Sequence, residues 1–116
     1  MMNNRTVVNV NDVISLKVEN NQGKDLGKIE AIMLHKVSGK VAYLVLTYGG
    51  FLGMGNKLFA LPWDVFTYDA TRDCLMISLS EEKLKNSPGF DKANWPDMSD
   101  QAWSNSIHTY YGIANR

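Results

Sequence analysis

The 116 residues include one cysteine, Cys74. A lone thiol makes no intramolecular disulfide and no cysteine-based zinc site, and a reducing cytoplasm is the expected compartment. Histidine occurs twice, as His35 and His108. Neither has an acidic or cysteine partner at ligand spacing, so both read as structural or surface residues and no metal is expected. Neither sign of charge is in excess: 12 basic side chains face 12 acidic ones. The balance is also local. Residues 1–80 carry 8 basic and 7 acidic groups, and residues 81–116 carry 4 and 5. A nonspecific nucleic-acid binder needs a basic excess, so nucleic acid is not an expected partner. No polybasic patch or acidic tail marks a membrane surface. Long apolar runs are missing too. Val41–Leu46 is the longest stretch worth reading as one element, far too short to span a bilayer. Residues Met1–Val10 hold no apolar core of a secretory signal.

What remains is ordinary globular composition, 45% hydrophobic and 21% charged. The length suits one domain with one real core. Residues 13–79 read as strands between turn signals. Val13–Val18 is the first, ending at the Asn- and Gly-containing cluster Asn20-Asn21-Gln22-Gly23. Leu26–Leu34 follows, with Ile29, Ala31 and Met33 expected on one face and Lys28, Glu30, Ile32 and Leu34 on the other. A short connection, Lys36–Lys40, leads to Val41–Tyr48, apolar on both faces and so expected to be central. Leu58–Leu61 is stopped by Pro62, which removes a ladder donor. Trp63–Tyr68 reads as a turn into a strand. After the turn Asp69–Asp73, Cys74–Leu79 is the last strand, with Leu75, Ile77 and Leu79 pointing one way. No crossover helix separates the strands, which argues for a small, bent antiparallel sheet or barrel.

The pattern changes at Ser80. Ser80-Glu81-Glu82-Lys83 offers an N-cap hydroxyl and first-turn acids to a short helix around Leu84. Ser87–Pro96 holds Pro88, Gly89 and Pro96 and should be extended or coiled. A second helix is expected from Asp97 or Ser99. There Trp103, Ile107 and Tyr110/Tyr111 form one apolar stripe, and Gly112 is a natural stop. That stripe needs cover from its own barrel or from another chain.

The glycine-rich stretch Gly49–Lys57 invites a phosphate-loop reading, which fails on detail. Gly50 and Gly55 have Walker spacing, but Asn56 intervenes before Lys57 and Leu58 replaces the hydroxyl. No helix N-terminus follows to hold a phosphate. No cofactor is expected. Phe51, Leu52 and Met54 put three large apolar side chains on this loop. They either fold back on the core or meet a partner. Cys74 reads as a small buried apolar residue. Asp69 and Asp73 suit a turn and do not match a calcium loop. Trp63, Trp95 and Trp103 read as packing residues, since no basic groove lies between them.

Several stretches taken together resemble the PRC-barrel family: Asn20–Ile29, Gly39–Leu46 and Gly49–Trp63 in order, with a tail, Pro88–Lys92, Trp95–Met98 and Ile107–Gly112, similar to that of small stand-alone bacterial members. The resemblance implies a compact barrel of about six strands over residues 11–80, followed by a helical extension over residues 81–116. The family occurs as the cytoplasmic domain of the photosynthetic reaction-centre H subunit, at the end of a ribosome-maturation factor, and in archaeal cell-division assemblies. It therefore implies protein binding and assembly, with no catalytic constellation to carry over, so no enzyme is expected.

The first functional expectation is a non-enzymatic, self-associating interaction module, a homodimer, using Phe51, Leu52, Met54, Trp103, Ile107 and Tyr110. The second is a ribosome- or RNA-associated accessory protein, with Lys24, Lys28, Lys36, Lys40 and Lys57 as its foothold. The third is a small-ligand-binding or catalytic barrel using Cys74 and a histidine.

Overall fold

A computed structural model describes residues 6–49 and 57–115. The strands are β1 (Lys17–Asn20), β2 (Asp25–Leu34), β3 (Val41–Tyr48), β4 (Lys57–Pro62), β5 (Phe66–Asp69) and β6 (Cys74–Ile77), with helices α1 (Val10–Val13), α2 (Glu81–Lys85) and α3 (Gln101–Tyr111). The strands form one sheet in the order β4-β3-β2-β1-β6-β5, curled into a half-barrel. The mainly β fold with a helical extension is thus as expected.

Three features depart from the sequence reading. Val13 does not begin a strand. The Asn9 side chain accepts from the Asn11 amide and caps a helical turn over Val10–Val13, so a local polar cap outweighs the β-preference of valine. Ser15 then takes a positive φ of 73°, and regular strand starts at Lys17. Second, Ile29, Ala31 and Met33 do not share a face. The β2–β3 register runs Ile29↔Leu46 and then Ala31↔Val45, so Glu30 is the extra residue of a bulge. One extra residue reverses the alternation beyond it. Ile29 and Ile32 join the inner core, and Met33 turns to the outer side. Third, the sheet is antiparallel except at one joint, where β1 pairs parallel with β6. Curling brings the first and last strands side by side, a long-range pairing that no turn signal encodes.

The inner core gathers Val18, Leu26, Ile29, Leu44, Leu46, Phe59, Leu61, Leu75 and Ile77. Leu84 of α2 enters it from outside the sheet, on a helix capped by Ser80 Oγ accepting from the Lys83 amide at 3.0 Å. Asn20 is buried because its side chain builds the β1–β2 turn: Oδ1 accepts from the amides of Gln22 and Lys24, each at 2.9 Å. A smaller outer cluster joins Tyr43, Ala60 and Ile107 with Met33, Phe90, Met98, Trp103 and Tyr111. The β3 strand is therefore covered on both faces, as its all-apolar sequence required. The tail also covers the edge of β4, where Leu58 and Phe90 exchange backbone hydrogen bonds of 2.9 and 3.0 Å.

Candidate functional site

The aromatic stripe of α3 lies on its own sheet. Asp100 caps the helix by accepting from the Trp103 amide at 3.0 Å, and Gly112 ends it in the left-handed region. Ile107 is fully buried against Tyr43 and Ala60. Trp103 meets the Tyr43 ring edge-on at 5.2 Å, and the Tyr43 and Ser104 hydroxyls share a 2.8 Å hydrogen bond. Tyr110 donates to the Lys83 carbonyl at 2.6 Å, and the Lys83 ammonium lies 4.2 Å from its ring centre. Trp103 and Tyr110 are half-buried, and Ile107 offers no surface to a partner. Phe51, Leu52 and Met54 fall outside the described residues.

The structure instead brings together residues that the sequence keeps apart. A groove of about 680 Å³ opens at one end of the sheet, lined by His35 and Lys40 of the β2–β3 turn, Trp63 and Asp64 after β4, and His108 of α3. Three local features build it. The turn is closed by the His35 amide donating to the Lys40 carbonyl at 2.8 Å, with Gly39 at a φ of 79°. The β2–β3 register runs Met33↔Tyr43 and then Leu34↔Val41, so Ala42 is an extra residue on β3. Ala42 and Tyr43 consequently face the outer cluster together, while Val41 turns inward. Tyr43 pairs with Pro62, so the single 3₁₀ turn Trp63–Val65 emerges beside this bulge.

The two wall residues that matter most are His108 and Trp63. His108 Nδ1 lies 2.8 Å from the Ser104 carbonyl. A carbonyl accepts, so Nδ1 carries the proton and Nε2 of the neutral ring is left with its lone pair. Trp63 is 46% exposed, a large indole in water. Leu34, the last residue of β2, and Val37 on the adjoining turn are 54% and 95% exposed. A Pro-Trp pair after a strand was visible in the sequence, but reading Trp63 as a packing residue missed this exposure. Nothing in the sequence spacing places His35 in the same groove as His108.

A second cleft, about 550 Å³, is lined by Lys17, Lys24, Asp25, Lys28 and Glu81. Four of these five charges are paired. The Lys17 ammonium lies 3.9 Å from both Asp25 and Glu19, and Lys24 lies 4.0 Å from Glu81. Glu81 also accepts from the Tyr48 hydroxyl. That hydrogen bond, helped by Lys24 and Lys85 and opposed by burial, holds the Glu81 carboxyl below the usual glutamate range. Burial first, then Glu81, raises the Tyr48 phenol. The five lysines considered for RNA do not converge. Lys24 and Lys28 line this cleft, Lys40 lines the groove, Lys36 lies on the β2–β3 turn, and Lys57 sits on β4 with its ammonium 5.8 Å from the Phe59 ring centre.

Cys74 starts β6 and is buried, which raises its thiol pKa and suppresses the reactive thiolate. It is not among the residues lining the groove that holds both histidines. Among the described residues, no group of three or more His, Cys, Asp or Glu is placed to hold a metal ion. No helix among them is long and apolar enough to cross a membrane.

A family model described as the PRC-barrel domain matches residues 5–84. No curated protein matches the chain. A similar solved structure is that of RimM from Pseudomonas aeruginosa, described as a 16S ribosomal RNA processing protein. It shares 14% identity and a TM-score of 0.44, over 68% of this chain and 48% of that one. The chain thus spans about half the length of that protein, and a likeness this distant bears on neither role nor partner.

Proposed function

The chain belongs to the PRC-barrel domain family, and from that premise we propose that it is a non-enzymatic protein-interaction module that associates with itself. One observation carries the reading: Trp63 leaves a large indole in water on the wall of a groove, and Leu34 and Val37 are exposed as well. Small soluble domains seldom leave such surface uncovered. The formal net charge of zero gives no field to steer a charged partner, so association rests on apolar contact. Phe51, Leu52 and Met54, outside the described residues, stay a separate candidate surface on the sequence alone. Of the α3 stripe, the half-buried Trp103 and Tyr110 keep some surface for a partner, while Ile107 seats the helix.

Sedimentation at tens of micromolar is the test. The expected species is a dimer, and a monomer at every concentration overturns the reading. Association with RNA has weaker support, because the candidate lysines are dispersed and Lys24 is paired with an acid. It would require RNA affinity that falls steeply with salt.

A further inference from the structure

We propose that the groove at the β2–β3 turn is the contact between two copies of this chain, with each protomer's Trp63 seated in the groove of the other. This rests on the self-association reading above and says which surface performs it. A two-fold contact uses the same patch twice, so the patch must be complementary to itself. Few surfaces meet that condition, and this one does on three counts.

Shape is the first. A half-exposed indole stands on the wall of a groove of about 680 Å³, so projection and recess occur side by side on one face. Charge is the second. Lys40 and Asp64 both line the groove, so the patch carries charge of each sign. A two-fold axis sets the lysine of each copy near the aspartate of its partner, and the carboxylate has acceptor positions for more than one donor. A purely basic or acidic patch would repel its own copy.

Hydrogen bonding is the third. Burying an indole leaves its N–H in need of an acceptor. His108 supplies one: Nδ1–H is committed to the Ser104 carbonyl at 2.8 Å, so Nε2 can accept from the partner's Trp63. Tryptophan at the centre of a contact, ringed by residues that exclude water, is the arrangement in which one side chain dominates affinity.

The test is the dimer dissociation constant by sedimentation, with folding checked by circular dichroism and melting temperature. Trp63→Ala should raise that constant by about 30-fold or more, the loss typical of a central aromatic anchor. Val7→Asp alters another exposed apolar residue (86% exposed) and should leave the constant unchanged. Lys40→Glu should weaken the dimer, and adding Asp64→Lys should restore it, which requires no truncation of Trp63. If the native chain dimerises and neither Trp63→Ala nor Lys40→Glu weakens it, the groove assignment falls and another surface, such as the Phe51 loop, carries association. If the native chain is monomeric throughout, the self-association reading falls with it.

Discussion

Replacing Ile107 by alanine tests whether the tail helix is part of this chain's own fold. Ile107 is fully buried between α3 and the outer face of β3 and β4, against Tyr43 and Ala60. Truncating a buried isoleucine to alanine costs about 2–5 kcal/mol, the transfer term plus whatever cavity the surroundings fail to close. Here α3 is a single helix laid on the outside of the sheet, so it can settle toward the vacancy. The 2.8 Å Tyr43–Ser104 hydrogen bond and the edge-on contact of Trp103 with Tyr43 limit how far. The lower part of the range follows, about 3 kcal/mol. For a chain of this length that corresponds to a fall in melting temperature of about 12 °C. The assay is thermal unfolding by circular dichroism, repeated over a wide range of protein concentration and in the Trp63→Ala background. A helix seated on its own sheet predicts the same loss in every case. A shift below about 3 °C, or a loss that appears only at high concentration, would refute the packing argument and place the helix on a neighbour.

Gly27→Ala should be among the most damaging single changes. Gly27 has a φ of +134°, and a Cβ there would lie 1.9 Å from the Thr47 carbonyl oxygen. Strain and backbone clash together cost at least about 3 kcal/mol, read as a lower urea midpoint; an unchanged midpoint would show that β2 and β3 do not approach this closely. Tyr48→Phe tests the Glu81 contact through pH. The Glu81 carboxyl is depressed in the folded state. Its contribution is therefore complete above the unfolded value of 4.5 and is lost as pH falls through the lower folded value. Removing the phenol hydroxyl removes the largest part of that contribution, so the melting-temperature gap between native and variant should be widest near neutrality and narrow below pH 4.5. A gap independent of pH counts against the hydrogen bond.

What the sequence discloses about this protein is what local physics decides. Ser80 accepting from Lys83, the left-handed Gly112, and the Trp103–Ile107–Tyr111 stripe all act within a few residues, and each was legible. The strands are equally plain where β-branched and apolar residues cover both faces, as in Val41–Tyr48. What stayed hidden depends on pairing between distant parts of the chain. Alternation along β2 cannot reveal that Glu30 is passed over opposite Leu46 and Val45, and so cannot place Met33 on the outer face. Likewise the parallel β1–β6 joint exists only once the sheet has curled. The groove belongs to this hidden class. It forms where the extra residue Ala42 breaks the β3 alternation, so that Ala42 and Tyr43 both face outward and β4 delivers Trp63 beside them. A bulge costs ladder hydrogen bonds and tends to persist where it re-aims a side chain or ends a pairing. The break in the pattern at Ala42 therefore points to the same end of the molecule as the exposed indole does, and by an independent route: one comes from register, the other from solvent exposure.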